Sequence, residues 1–117
     1  MLTIKTITPK ELEERLKGND QTYILDVRAE EKYKDFHIEA PRSKNFNIPK
    51  TTIFELEEKR DEEVSSLPKN HEIVVTCTTG NSAKKCAAIL SEKNYNVTLL
   101  EGGITAWKEY LQSQKRT

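Results

Sequence analysis

The sequence has little of what metal sites, disulfide frameworks and membrane spans require. It holds two cysteines and two histidines, and eight residues separate Cys77 from Cys86, which suits neither a Cys-x-x-Cys redox pair nor a four-ligand zinc site. No stretch approaches the ~20 apolar residues that cross a bilayer, and the N-terminus lacks the apolar core of a secretion signal. We therefore expect no metal, no membrane association and a cytoplasmic location.

Net charge is also missing, because nineteen basic and nineteen acidic residues cancel. A neutral chain gives no electrostatic reason to expect nucleic acid as a partner. Its 117 residues suffice for one hydrophobic core and are too few for two comfortable ones. We therefore predict a single domain over residues 1–117.

Apolar runs and turn residues predict strands that alternate with helices. The expected strands are Thr3–Ile7, Tyr23–Val27, Ile73–Thr76 and Asn96–Leu100. The expected helices are one opened by Thr8, Pro9 and Glu11 and ended by Gly18, then Glu30–Asp35, Thr52–Val64, Asn81–Lys93 and Thr105–Ser113. Residues 37–49 are expected to form a connecting loop. The alternation predicts an α/β fold with a mainly parallel sheet and helices on both faces.

Cys77 stands where a predicted strand gives way to a loop of small polar residues and then to a helix. Ligands of parallel sheets bind beyond the carboxyl ends of the strands. Unpaired N–H groups and the partial positive charge of a helix start favour a thiolate there, which is the nucleophilic form. Backbone N–H groups of the loop could surround an anion or a persulfide, and the loop residues are Thr78, Thr79, Gly80, Asn81 and Ser82.

A structural role must be weighed for each of the other chemically active side chains. A lone cysteine is more often a small buried hydrophobe than a catalyst, and Cys86, beside two alanines, is expected in the core. His37 is expected to make a structural hydrogen bond, and His71 is expected at the surface. Trp107 is expected to anchor the last helix in the core.

Four segments together resemble the rhodanese family, from about Thr8 to Tyr110. They are Ile24–Arg28 with the downstream His37-Ile38, then Asn47-Ile48-Pro49, then the loop Cys77–Ser82, and finally Gly102-Gly103 followed by Trp107. The resemblance implies a sulfurtransferase without a cofactor. Cys77 would take sulfur as a persulfide from thiosulfate, polysulfide or a persulfide donor. It would then pass that sulfur to a small thiol or to a small acceptor protein.

Within the resemblance, the length of the loop indicates the class of substrate, and its composition shows a departure from active members of the family. Six residues favour sulfur over phosphate or arsenate, because the related phosphatases have a loop one residue longer. Active members commonly have Arg at the last loop position, where this chain has Ser82. Lys84, with Lys85 beside it, is a candidate to supply the charge. Asp26 and Arg28 are expected to pair and to support the site.

The segment before Asn47 also departs from the family. Phe36 stands where Gly is usual, and residues 41–46 resemble a short insertion that we expect to lengthen a surface loop. Two other functions therefore stay open. One is a rhodanese fold kept as a binding or regulatory module, and the other, ranked third, is a phosphatase or arsenate reductase.

Overall fold

Five parallel strands form one sheet in the computed structural model, which describes residues 4–59, 64 and 66–114. The strands are β1 (Lys5–Ile7), β2 (Thr22–Asp26), β3 (Ser43–Asn47), β4 (Glu72–Thr76) and β5 (Asn96–Leu100). Their order across the sheet is β1-β5-β4-β2-β3, and all four pairings are parallel. The central strands β2 and β4 are therefore adjacent, and the predicted α/β fold is confirmed.

Helices follow the strands along the chain. They are α1 (Pro9–Leu16), α2 (Glu30–Asp35), α3 (Lys50–Glu55), α4 (Asn81–Glu92) and α5 (Gly103–Gln114), and a 3₁₀ turn over Leu56–Glu58 continues α3. None of the helices in the described ranges is long and apolar enough to cross a bilayer.

Helices cover both faces of the sheet, because neighbouring residues of a strand point to opposite sides. Ile24 and Val74 lie in one core cluster with apolar residues of α1 and α5, which include Leu12 and Trp107. The adjacent residues of the same strands lie in a second cluster with residues of α3 and α4; this cluster includes Leu25, Val75, Ile53 and Leu90. Trp107 is thus a core anchor, as predicted.

The first helix begins as its sequence predicts. The Thr8 hydroxyl accepts a hydrogen bond from the Glu11 N–H at 3.1 Å, and the Thr8 N–H donates to the Glu11 carboxylate at 3.0 Å. This capping box satisfies two backbone groups that a helix start leaves unpaired.

The prediction of a connecting loop over residues 37–49 is wrong for its second half. Ser43–Asn47 forms the edge strand β3, which pairs in parallel with the whole of β2. The segment has little β propensity, and it is held by the ladder to β2 and by its own side chains. One of these is the Asn47 amide, which donates at 3.0 Å to the Asp26 carbonyl. The expected surface insertion over residues 41–46 is therefore largely strand.

The helix predicted over Thr52–Val64 is also placed wrongly. It begins at Lys50 and ends at Glu55, because the chain tightens into the 3₁₀ turn, and residues 60–63 of the predicted range lie outside the described residues. Its buried stripe of Ile53 and Leu56 is as predicted. The last helix begins at Gly103, two residues earlier than predicted. Thr3, at the start of the first predicted strand, lies outside the described residues.

Candidate active site

A crevice opens between the carboxyl ends of β2 and β4. From β2 the chain goes on to β3 on one side, and from β4 it goes on to β5 on the other side. The segments that leave the two central strands therefore diverge, which is the position where open parallel sheets bind ligands. Cys77 directly follows β4 and lies at this point, as the sequence predicts.

The sulfur of Cys77 receives two backbone hydrogen bonds, one from its own loop and one from the helix that follows. The N–H groups of Gly80 and Ala83 lie 3.0 and 3.3 Å from Sγ. The second donor belongs to the first turn of α4, where N–H groups have no partner within the helix. Cys77 is 5% exposed. Two backbone N–H donors are thus fixed around a nearly buried sulfur.

The loop reaches this shape through a glycine and through its contact with α5. Gly80 adopts φ +104°, in the left-handed region that glycine tolerates. On the other side of the loop, the N–H groups of Ile104 and Thr105 donate to the carbonyls of Cys77 and Thr78 at 2.8 and 3.0 Å. The start of α5 therefore takes up two loop carbonyls, those of Cys77 and Thr78, while the N–H group of Gly80 donates to the sulfur.

Gly103 makes that contact possible. A Cβ atom at this position would lie 2.4 Å from the carbonyl oxygen of Cys77 and 2.8 Å from that of Thr78. The residue also has φ +61°. A side chain would push α5 away from the loop, so the paired glycines at 102 and 103 place the helix against the cysteine.

A pocket of about 320 Å³ lies beside the cysteine. Its lining residues come from the segments after β2, β3 and β4: Val27, Arg28, Ala29, Lys32, Pro49, Lys50, Thr51, Cys77, Thr78, Thr79 and Ser82. Three of the five predicted loop residues line it, whereas Gly80 and Asn81 do not. Gly80 instead contributes its N–H group to the sulfur.

Asp26 and Arg28 form the predicted pair at the edge of this pocket. The guanidinium donates to both carboxylate oxygens, with a shortest distance of 2.7 Å, and the side chains are 8% and 2% exposed for Arg28 and Asp26. The same guanidinium donates to the carbonyl of Phe36, at the end of α2. The pair therefore fixes the segment between β2 and α2, which forms one wall of the pocket.

The cations around the pocket differ from those expected. Lys84 is exposed and is not among the lining residues, and the Lys85 ammonium lies 4.5 Å from the centre of the Phe54 ring. Lys32 of α2 and Lys50 of α3 line the pocket instead. Lys50 directly follows the Asn-Ile-Pro segment, and Lys32 lies between Arg28 and His37 of the first segment of the resemblance, but neither signal singled out a lysine. Their convergence depends on the strand order, which the sequence pattern does not give.

Cys86 is a core residue, as predicted, and is 0% exposed. Burial first, and then the nearby Cys77, raise the pKa of its thiol from 9.0 to about 12. Cys86 is therefore a neutral thiol near neutral pH, so it does not compete with Cys77 as a nucleophile.

The histidines also lie outside the pocket lining. Nδ1 of the His37 ring is hydrogen-bonded to the Tyr33 carbonyl oxygen at 2.8 Å. His37 therefore has the structural role that was expected for it. His71 is exposed and stacks on Tyr23. Within the described ranges, no group of three or more His, Cys, Asp or Glu side chains could hold a metal ion.

Two sequence relatives are similar to nearly the whole chain. MoeZ of Mycobacterium tuberculosis, named an adenylyltransferase/sulfurtransferase, is 32% identical over 108 residues, which are 92% of this chain and 25% of MoeZ. This chain thus spans about a quarter of that relative. YtwF of Bacillus subtilis, named a sulfurtransferase, is 26% identical over 92% of this chain and 93% of YtwF.

A solved structure is also similar to nearly the whole chain. The crystal structure of a rhodanese-like domain protein from Staphylococcus aureus superposes with a TM-score of 0.73 at 29% identity, and the match covers 89% of this chain and 91% of that one. The family model of the rhodanese-like domain matches residues 8–110. That range contains the cysteine loop, the Asp26–Arg28 pair and the paired glycines. The chain belongs to the rhodanese-like domain family.

Proposed function

We propose that this protein is a sulfurtransferase that carries sulfur as a persulfide on Cys77. The observation that carries the proposal is the pair of N–H groups, from Gly80 and Ala83, that meet Sγ at the edge of an open pocket. Hydrogen bonds from backbone donors stabilise an anionic sulfur without adding a proton to it. The sulfurtransferase names of MoeZ and YtwF support the same chemistry.

In the first step, the Cys77 thiolate attacks the outer sulfur of a donor such as thiosulfate. A new S–S bond forms at Sγ while the S–S bond of the donor breaks, and sulfite leaves with the electron pair of that bond. The transferred sulfur keeps one negative charge, so the product is a Cys77 persulfide anion. The loop N–H groups are the donors available to this anion.

In the second step, a thiolate acceptor attacks the outer sulfur of the persulfide. The bond between the two sulfurs on Cys77 breaks, and the Cys77 thiolate leaves with its electrons and is ready for another donor. No group other than the donor and the acceptor is oxidised or reduced. Polysulfides and low-molecular-weight persulfides can enter the first step in the same way, and a small thiol or a small protein can serve as acceptor.

The intact mass of the purified protein tests this proposal. After incubation with thiosulfate or polysulfide, the chain should gain the mass of one sulfur atom, and a reducing thiol should remove it. Cys77→Ser should gain nothing, whereas Cys86→Ser, the matched control, should load like the wild type. If reduced wild-type protein gains no sulfur from any donor, the proposal fails. The non-catalytic binding module, which Ser82 at the last loop position favours, then takes its place.

A further inference from the structure

The two cysteines of the chain lie against the same face of α4. The Sγ atom of Cys77 is 3.3 Å from the backbone nitrogen of Ala83. Cys86 follows Ala83 by three residues in the same helix, so these two residues share one helix face. Both are 0% exposed, and they belong with Cys77 to one core cluster. The two cysteines therefore lie within about one helical turn of each other.

The side chain of Cys86 is directed towards the cysteine loop. In an α-helix the Cα–Cβ bonds tilt towards the N-terminus, so a side chain covers the turn that precedes it. For Cys86 this is the turn of Ala83, which contacts the Cys77 sulfur. Cys77 is also the second cause, after burial, that raises the pKa of the Cys86 thiol. The helix geometry and the interaction between the two thiols agree that the sulfurs are near neighbours.

Only one of the two sulfurs can be reached from solution. Cys77 lines the pocket of about 320 Å³ and is 5% exposed, whereas Cys86 does not line it and is 0% exposed. A small oxidant that enters the pocket therefore meets Cys77 first. Cys86 behind it stays a reduced, neutral thiol until its neighbour has changed.

We propose that Cys77 and Cys86 form a reversible intramolecular disulfide when a peroxide oxidises Cys77. The disulfide would draw the Cys77 sulfur out of the pocket and towards the core, so that no sulfur donor could react with it. Its regulatory meaning rests on the proposed sulfur transfer, whereas the disulfide itself can be measured without any sulfur donor.

In the first step, the Cys77 thiolate attacks one oxygen of hydrogen peroxide. An S–O bond forms, the O–O bond breaks, and hydroxide leaves with the electron pair of that bond. The peroxide is reduced, and Cys77 is oxidised to a sulfenic acid.

In the second step, the Cys86 sulfur attacks the sulfur of that sulfenic acid. An S–S bond forms and the S–O bond breaks. The oxygen leaves with the electron pair, takes the thiol proton of Cys86 and departs as water.

The surroundings of Cys86 favour this order of events. A thiolate at Cys77 opposes the ionisation of Cys86, because two like charges would lie close together. The neutral sulfenic acid removes that charge, and the positive charges of Lys50 and Lys85 still favour a thiolate at Cys86. Cys86 therefore becomes a better nucleophile only after Cys77 has been oxidised.

The disulfide would protect the candidate nucleophile from permanent damage. A sulfenic acid that finds no thiol is oxidised further to sulfinic and sulfonic acids, which reducing thiols do not reverse. A disulfide is reversed by a small thiol. Reduction of the Cys77–Cys86 bond would return both cysteines to their original state and restore sulfur loading.

Peptide mapping after peroxide treatment tests the proposal. Reduced wild-type protein is treated with hydrogen peroxide, alkylated without a reducing agent and digested with trypsin. Cleavage after Lys84 and Lys85 places the two cysteines in separate peptides, residues 70–84 and 86–93. We expect these peptides to be joined by a disulfide within a protein that keeps the intact mass of a single chain. A reducing thiol should then restore at least about nine-tenths of the original sulfur loading.

Cys86→Ala and Cys86→Ser are the matched variants, and both should load sulfur like the wild type before peroxide is added. After peroxide, their Cys77 should carry two or three added oxygen atoms. A reducing thiol should then restore less than about one-tenth of their loading. Two different substitutions separate the loss of the thiol from a change in core packing.

Three results would overturn the inference. They are a sulfinic acid at Cys77 beside an unmodified Cys86 in the wild type, a link formed only between two chains, and full recovery of loading in both Cys86 variants. The failure of this inference can be distinguished from the failure of the proposed function. Sulfur loading without the link removes the disulfide alone. The link without sulfur loading from any donor removes the transfer function and leaves a peroxide-sensitive cysteine pair.

Discussion

The N–H group of Ile104 donates a 2.8 Å hydrogen bond to the carbonyl oxygen of Cys77, so the first turn of α5 is joined directly to the candidate nucleophile. The Cys77 residue is thereby held at two points, through its carbonyl by α5 and through its sulfur by the N–H groups of Gly80 and Ala83. Donors that are fixed before the reaction need no reorganisation when charge develops. The Gly-Gly segment therefore supports the geometry that the proposed chemistry needs, although it does not line the pocket.

Gly103→Ala should damage both stability and sulfur transfer. The new Cβ would lie 2.4 Å from the Cys77 oxygen at a residue with φ +61°. We expect a loss of about 2 kcal/mol or more in the free energy of unfolding and at least a tenfold slower loading of Cys77, because the loop donors move. Urea unfolding and time-resolved intact mass measure the two effects.

Gly18→Ala is the control for that substitution, since Gly18 follows α1 and a Cβ there would lie no closer than 3.3 Å to the Arg15 carbonyl oxygen. It should leave the loading rate of the folded protein unchanged. Loading of Gly103→Ala at the wild-type rate would show that α5 does not orient the loop.

Asp26→Asn should destabilise the protein strongly. The carboxylate is 2% exposed and the Arg28 side chain is 8% exposed, so the substitution leaves a buried guanidinium without its counter-charge. Breaking a buried pair on one side costs about 3–5 kcal/mol. Urea unfolding at neutral pH should show this loss as a lower midpoint.

Glu30→Gln is the matched control, because the Lys34–Glu30 pair has side chains that are 72% and 67% exposed. Its unfolding midpoint should stay at the wild-type value, as expected for an ion pair in water. An equally small effect of Asp26→Asn would mean that Arg28 finds other partners and that the pair does not fix the wall of the pocket.

Most of the fold could be predicted because buried strands appear in the sequence as short runs of apolar and β-branched residues. Ile73–Thr76 and Asn96–Leu100 are β-branched or apolar runs, and the structure has strands there. The strand Ser43–Asn47 could not be predicted, because an edge strand with one pairing partner carries polar residues and no apolar alternation. Its conformation comes from β2, which lies about twenty residues earlier in the sequence. The local sequence pattern therefore does not predict a strand whose conformation is determined by pairing with a distant part of the chain.

The candidate site also contains residues that the local sequence predicts and residues that only the tertiary structure brings together. Cys77 and its loop could be placed from sequence, because a strand, a loop and a helix in direct succession determine the local geometry. Lys32 and Lys50 could not be found in this way. They belong to helices that follow β2 and β3, and they reach the pocket only because β2 lies beside β4. Lys84, close to Cys77 in sequence, is turned outward by the helical period of α4.

Cys86 should make the protein lose stability at alkaline pH. Its folded pKa of about 12 lies above the ordinary value of 9.0, mainly because of burial. Below pH 9 the Cys86 thiol keeps its proton in both the folded and the unfolded chain. Between pH 9 and about 12, only the unfolded chain loses this proton. The stabilising contribution is therefore complete below pH 9 and is lost towards pH 12, at up to about 1.4 kcal/mol per pH unit.

Urea unfolding of the wild type and of Cys86→Ala between pH 8 and 10.5 checks this contribution. The difference in free energy of unfolding between the two proteins should be constant below pH 9 and should shrink above it. The comparison cancels the other alkaline groups, which both proteins share. A difference that does not change with pH would show that the Cys86 thiol ionises equally easily in the folded chain.

Ser82→Arg should increase thiosulfate turnover. Ser82 lines the pocket beside Cys77, and a guanidinium at this position can make two parallel hydrogen bonds to an oxyanion. We expect a gain of about tenfold in kcat/KM for thiosulfate, the size of one charge-assisted interaction. Ser82→Gln adds similar length without charge and should give no gain, so it separates charge from steric effects. If Ser82→Arg also gives no gain while polysulfide still loads Cys77, the donors of this protein are not small oxyanions.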